Sequence, residues 1–290
     1  MKQKIIAIVG PTASGKSDYA VTVALRLAQG KPNKIRGGEI ISADSRQVYR
    51  GMNIGTGKII IQEMQGITHH LLDIASPKRQ FTVVQYQKLA NQAIEKILKE
   101  GKIPILCGGT GLYIDAVLEG WKFPKTPIDK VLRKKLEKES AEQLFLQLQK
   151  LDPKFAKKID HNNKRRLVRA LEIIHTTKET IQPLKKHPLP YTIEYIGLFP
   201  GWDTLKEKIH IRLESRIKEG MVEEVEHLHK KENISWKRLE SFGLEYKYIA
   251  LYLQDKLSYE EMKNSLEMAI FHYAKRQMTW FKRNKQIKWY

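Results

Sequence analysis

Apolar residues fall in two rhythms along this chain: short unbroken runs, and stripes spaced by three and four. Residues 4–9, Lys-Ile-Ile-Ala-Ile-Val, form a run of the first kind, the signature of a strand buried on both faces. A turn-forming stretch at 10–17 leads into residues 16–28, where Ala20, Ala24, Leu27 and Ala28 fall on one helical face. Residues 39–43 read as a second strand. A long helix is predicted over 83–100, because Tyr86, Ala90, Ala93, Ile94, Ile97 and Leu98 recur at helical spacing and Gly101 is a suitable C-cap. Residues 103–107 form a further buried strand, running into Gly108-Gly109-Thr110-Gly111. Strand, helix and strand in this order imply an α/β fold with a mostly parallel sheet, its ligand loops at the strand carboxyl ends.

The rhythm changes after Gly120. Pro124 and Pro127 break the chain, and residues 128–180 carry helical stripes (Leu132, Leu136, Leu144, Leu148, Leu151, then 167–174) with no convincing strand. Pro183, Pro188 and Pro190 close this section, and a strand-like run at 193–199 resumes the α/β pattern. Two helical stretches follow, 205–230 and 259–281. The expected organisation is an α/β core over 1–121, a helical insertion over 122–190, and the rest of the core with its C-terminal helices over 191–290.

Charge sharpens this picture. The 290 residues carry 52 Lys and Arg against 32 Asp and Glu, a balance of +20, which points to a polyanionic partner. The surplus is clustered. Residues 150–186 hold eleven basic and four acidic residues, densest at Lys164, Arg165, Arg166 and Arg169, and the last sixteen residues hold six basic residues and no acid. Clustering of this kind favours a nucleic-acid footprint over evenly solvated helix faces. No apolar run approaches the ~18 residues of a membrane span, and the first apolar run is too short for a signal peptide. The single cysteine, Cys107, excludes an internal disulfide and a multi-thiol metal site, and reads as core. The expected protein is cytoplasmic and monomeric, with no membrane partner. Adjacent His69-His70 lack a companion cluster and read as structural; His227 and His229 read as surface.

Gly10-Pro11-Thr12-Ala13-Ser14-Gly15-Lys16-Ser17 matches the P-loop pattern between a strand and a helix. Its amides and helix N-terminus can solvate phosphate oxygens, Lys16 can neutralise charge, and Ser17 can help hold Mg²⁺. The pattern does not choose between ATP, GTP and another diphosphate. A nucleoside or small-metabolite kinase is the default reading of the loop alone, yet such an enzyme has no need of a basic insertion. Of the strands, only the one at 40–44 ends in an Asp, and Gln47 and Tyr49 beside it look more like substrate-recognition groups than the surroundings of a Walker-B acid.

The P-loop is followed by Ile41-Ser42-Ala43-Asp44-Ser45-Arg46-Gln47-Val48-Tyr49, then Gly51-Met52-Asn53-Ile54-Gly55-Thr56-Gly57-Lys58, His69-His70-Leu71-Leu72-Asp73 and Gly108-Gly109-Thr110-Gly111-Leu112-Tyr113. Arg166-Leu167-Val168-Arg169-Ala170-Leu171-Glu172 and Tyr273-Ala274-Lys275-Arg276-Gln277-Met278-Thr279-Trp280-Phe281 complete the series. In kind and order these motifs resemble those of the tRNA dimethylallyltransferase family, also called tRNA isopentenyltransferases, over nearly the whole chain. The resemblance implies a P-loop core like that of nucleotide kinases with a helical insertion that grips tRNA. It also implies transfer of a dimethylallyl group from its diphosphate to the exocyclic amine of an adenosine beside the anticodon. Gly10 to Ser17 would then hold prenyl diphosphate with Mg²⁺ rather than a nucleoside triphosphate.

The resemblance also assigns roles. Asp44 matches the family's proton acceptor, and a strand-end carboxylate suits that task. Lys16, Thr110 and an arginine would neutralise the leaving diphosphate. Aligning Gly220 and Glu224-Val225 with the family's Gly and Glu-Val makes Arg212 that arginine and Lys208 an outer basic position; Arg216 is the rival alignment. Asp44, Ser45, Arg46 and Gln47 would meet an adenine flipped from the anticodon stem-loop, with the Gln47 amide a suitable reader. Arg166 and Arg169 would contact tRNA from the insertion. Tyr273, Lys275, Arg276 and Trp280 would form a second basic, aromatic surface, although Trp280 and Phe281 suit a core equally well. The sequence departs from the family at Gln85-Tyr86, Asn163, Gly243-Leu244-Glu245-Tyr246 and Ile270-Phe271, which touches tRNA contacts more than chemistry.

Overall fold

The computed structural model describes residues 3–29, 37–124, 126, 129–187 and 189–290. The chain folds as two compact units, one of Met1–Gly120 with Pro188–Tyr290 and one of Trp121–His187.

The first unit is built on a six-stranded sheet: β1 (Lys4–Val9), β2 (Gly38–Ser42), β3 (His69–His70), β4 (Ile103–Gly108), β5 (Thr192–Gly197) and β6 (Lys288–Trp289). Its order is β3-β2-β4-β1-β5-β6 and every pairing is parallel. The centre is set by apolar runs: β2 and β4 are buried throughout and β1 at all but Lys4. Alternation splits these strands between two cores. Ile5, Ala7, Val9, Ile41 and Leu106 share a cluster with residues of the helices Val83–Lys99, Gly111–Leu118 and Tyr259–Phe281. Ile6, Ile8, Ile40, Ile105 and Cys107 pack with Ala20, Val21 and Ala24 of the helix Lys16–Gln29. Each well-buried aliphatic side chain here contributes about 1.5–3 kcal/mol.

The strands and long helices lie within one or two residues of their expected bounds, with one substantive difference. Residues 205–230 are two helices, Trp202–Lys218 and Met221–Lys230, broken at Gly220, whose φ of 98° is open to glycine. Short helices at Trp236–Phe242 and Leu244–Tyr252 meet at Gly243.

The second unit is helical: Lys130–Leu136, Ala141–Leu151, Pro153–Ala156 and Lys164–Thr177. Leu136, Leu144, Leu148, Leu167 and Leu171 form its core. Each helix start has a side-chain cap, from Asp129, Ser140, Asp152 and Asn163. Asn163, one of the departures noted above, caps its helix by accepting from the Arg166 N–H at 3.2 Å. Gln85 likewise completes a capping box with Thr82. Pro127, Ile128 and Pro188, expected to mark the limits of this section, lie outside the described residues.

Candidate active site

Neighbouring strands β2, β4 and β1 deliver three loops to one end of the sheet: Ala43 to Gln47, Gly109-Thr110 and the P-loop. Backbone contacts lock the first two together. Ala43 N–H donates to Cys107 O at 2.7 Å, and Thr110 N–H returns to Ala43 O at 3.1 Å. The Thr110 hydroxyl also accepts from Ser45 N–H at 3.0 Å. Asp44 Oδ1 accepts from Arg46 N–H at 2.7 Å and Gln47 N–H at 3.3 Å, while Oδ2 has no hydrogen-bond partner among the described residues. The carboxylate is thus fixed through one oxygen and free at the other.

The P-loop turns through Ala13, which takes a left-handed φ of 62°. Ser14 Oγ is buried without a hydrogen-bond partner among the described residues, and Ser17 is exposed at the start of the helix Lys16–Gln29. Lys16 donates to Pro11 O at 3.0 Å. Burial lowers the Lys16 pKa, and the positive charges of Arg212 and Arg216 lower it further, against the pull of Asp44. Burial, then Arg216, brings Arg212 down to about 10. Three cations lining one cavity, two of them depressed first by burial, form a site that gains from a multiply charged anion. The two candidate arginines are not exclusive. Arg212 and Arg216 both line the cavity, and the absence of a side chain at Gly57 lets both guanidinium groups approach its backbone. Arg216 also faces Glu245 at 3.7 Å, where burial raises the carboxyl pKa.

A cavity of about 820 Å³ joins these groups, lined by Lys16, Ser17, Asp44, Arg212, Arg216, Tyr273 and Arg276 among others. That volume suits a small ligand plus one base. Tyr273 stays a neutral phenol, pushed up to about 12 by burial and then by Asp44. Cys107 is buried, its thiol pushed up to about 12 by burial, and is core as expected. His70 bonds Glu39 at 2.6 Å, a structural role, and the described residues contain no cluster of three or more metal-ligating side chains.

Several expected ligand groups are already occupied. The Gln47 amide, expected to read adenine, donates to Thr56 O at 3.4 Å and Gly57 O at 3.1 Å and accepts from Ser42 Oγ at 3.1 Å. Arg46 is tied to Phe242 O at 2.8 Å and Ser45 O at 3.1 Å. Arg169 pairs with Glu172 at 2.7 Å and reaches Thr126 O at 3.4 Å, whereas Arg166 is exposed. Lys275 and Arg276 are exposed, lying over the rings of Phe271 and Tyr273. Trp280 donates to Asp115 at 2.8 Å and Phe281 is core. His227 is exposed as expected, whereas His229 is half-buried, stacking on Trp236 at 3.6 Å and bonding Ile234 O at 2.8 Å.

The sequence reading used Glu224 only as an alignment marker and missed its role. Its carboxylate accepts from the N–H groups of Asn53, Ile54 and Gly55 at 2.8, 2.7 and 3.1 Å and from Tyr246 Oη at 2.7 Å. It thereby shapes the loop that holds Gln47.

The model of the IPP transferase family matches residues 47–284. The chain belongs to this family. It is 38% identical to the tRNA dimethylallyltransferase of Anoxybacillus flavithermus, covering 100% of this chain and 91% of the relative. It is 42% identical to tRNA dimethylallyltransferase 1 of Syntrophus aciditrophicus, covering 98% and 90%. Among solved structures, the full-length tRNA isopentenylpyrophosphate transferase of Bacillus halodurans aligns with TM-score 0.73 and 38% identity, over 100% of this chain and 90% of that one. A eukaryotic dimethylallyltransferase described as acting on tRNA aligns with TM-score 0.76 and 26% identity, over 96% and 70%. As in these relatives, the core is a P-loop parallel sheet. No described helix is long and apolar enough to cross a membrane.

Proposed function

We propose that this protein transfers a dimethylallyl group from dimethylallyl diphosphate to the exocyclic N6 amine of the adenosine next to the anticodon of a tRNA, releasing diphosphate. The observation that carries the reading is the convergence of Lys16, Arg212 and Arg216 with the half-free Asp44 carboxylate in one cavity. The amine lone pair forms the new N–C bond at the allylic carbon as the C–O bond breaks, and that electron pair leaves on the diphosphate. Lys16, Arg212, Arg216, the Thr110 hydroxyl and the loop Gly10-Pro11-Thr12-Ala13-Ser14-Gly15 stabilise the growing charge. The amine proton passes to Asp44 Oδ2.

The Ser17 hydroxyl fits a Mg²⁺ held mainly by diphosphate oxygens and water, the usual arrangement where few protein ligands are present; bound there, the ion would add charge neutralisation. Ser45 and the Asp44 loop would face the flipped base, with Gln47 and Arg46 acting by holding that loop unless they exchange partners. Arg166 on the insertion and Lys275 and Arg276 on the core would take tRNA phosphates. The deciding experiment incubates the protein with isotope-labelled dimethylallyl diphosphate and unmodified tRNA, followed by nucleoside mass analysis. Label on an adenosine amine beside the anticodon is the expected result. Unlabelled RNA, with phosphate moving from ATP to a small metabolite, would establish a kinase instead.

A further inference from the structure

Gln277 joins two loops that lie far apart in sequence. It sits on the helix Tyr259–Phe281 and is 6% exposed. Its Oε1 accepts from Thr12 N–H in the P-loop at 2.8 Å, and its Nε2 donates to Gly109 O at 2.9 Å. The fit at Gly109 is close: a Cβ there would come within 2.2 Å of Nε2. One residue on, the Thr110 hydroxyl accepts from Ser45 N–H at 3.0 Å. Hydrogen bonds therefore run from the P-loop through Gln277 and Gly109-Thr110 to the loop that carries Asp44.

We infer that Gln277 is a positioning residue for the group transfer, setting the spacing between the diphosphate cradle and the loop of the proton acceptor. The inference rests on the function proposed above. Displacement at an allylic carbon needs the amine and the leaving diphosphate on opposite sides of that carbon. A misplacement of about 1 Å in such a geometry costs about 100-fold in rate. The primary amide suits the task because one planar group presents both an acceptor and a donor. A carboxylate offers only the first and a thioether neither to any useful degree. Because Thr12 N–H is spent on Gln277, that amide does not solvate phosphate, and the loop is shaped before substrate arrives. Gln277 should therefore govern rate more than diphosphate affinity.

The test compares Gln277→Met and Gln277→Glu with the wild type in single-turnover transfer of labelled dimethylallyl groups to tRNA, alongside titrations with inorganic diphosphate. Gln277→Met is expected to lose about 10–100-fold in single-turnover rate while diphosphate affinity stays within about threefold. Gln277→Glu can accept from Thr12 N–H when ionised, but donates to Gly109 O only when protonated. Its rate relative to the wild type should therefore rise as pH falls, which a merely structural loss would not produce. Should Gln277→Met fail to fold, the pH profile of Gln277→Glu decides alone. Wild-type rates in both variants, losses only in proportion to diphosphate affinity, or a flat relative pH profile for Gln277→Glu would overturn the inference. A wild-type chain that transfers no label overturns the proposed function and this inference with it; an active wild type with unaffected variants overturns this inference alone.

Discussion

Glu224→Gln is a small change with a calculable effect. The carboxylate takes two backbone N–H groups on Oε2, and one more together with the Tyr246 hydroxyl on Oε1. A glutamine keeps one oxygen for Asn53 and Ile54, and the Tyr246 hydroxyl can rotate to accept from the new NH₂. Gly55 N–H alone is left facing a donor. An unsatisfied buried N–H costs about 1–3 kcal/mol, and two hydrogen bonds that lose an ionised acceptor weaken by about 1 kcal/mol each. The sum, about 3–5 kcal/mol, is large enough for the loop to detach locally rather than bear the penalty. Detachment would release Gln47 from Thr56 O and Gly57 O and free the backbone packed against Arg216. The assay is hydrogen exchange of the 53–57 amides, read against single-turnover transfer. Exchange should speed up in this loop while β1 and β4 keep their protection, and transfer should slow at least tenfold. Unchanged protection of the Asn53, Ile54 and Gly55 amides would refute the reasoning.

Four further outcomes are expected. Arg166→Ala should weaken tRNA binding without lowering stability. Arg169→Ala should instead destabilise the Trp121–His187 unit by about 1–3 kcal/mol, because the fully buried Glu172 keeps, among the described residues, only Arg133 as a cation; separate tRNA titrations and urea melts distinguish the two. Binding to tRNA should weaken steeply with salt, given the +20 balance, and a log-log slope near zero would contradict a phosphate footprint. For Glu39, burial alone would raise the pKa, but hydrogen bonds from Lys102 and His70 outweigh it and hold the carboxyl below its ordinary 4.5. Its contribution is therefore present above that pH and lost as acid protonates it. Melts of Glu39→Gln should fall furthest below wild type near neutrality and converge with it as the pH falls below the ordinary carboxyl range.

Legibility followed length and locality. β1 and β4 announce themselves because central parallel strands carry near-continuous apolar runs, β2 less strongly because only Ile40 and Ile41 are aliphatic in it, and Val83–Lys99 because an amphipathic stripe of that length has one reading. The break at Gly220 is hidden because Leu213, Met221 and Val225 keep apolar residues at helix-like intervals across it. β3 and β6, two residues each, are too short to carry a period. The P-loop motif is local, a turn between β1 and the helix Lys16–Gln29, and was readable from its glycines. The roles of Glu224 and Gln277 were not, because their partners lie 170 and 168 residues away. Gln47 shows the converse limit: a side chain with suitable chemistry can already be occupied by its own fold.

The central claim is that Asp44 accepts the amine proton while a separate cation cluster binds diphosphate. Single-turnover transfer by Asp44→Ala at saturating tRNA, paired with a diphosphate titration, tests it most directly. Loss of a general base costs about 10²–10⁴-fold, so the rate should fall by that factor while diphosphate affinity holds. Lys16→Ala, measured alongside, should lose rate and affinity together. If Asp44→Ala keeps most of its single-turnover rate, or loses it only through weakened diphosphate binding, Asp44 is not the base.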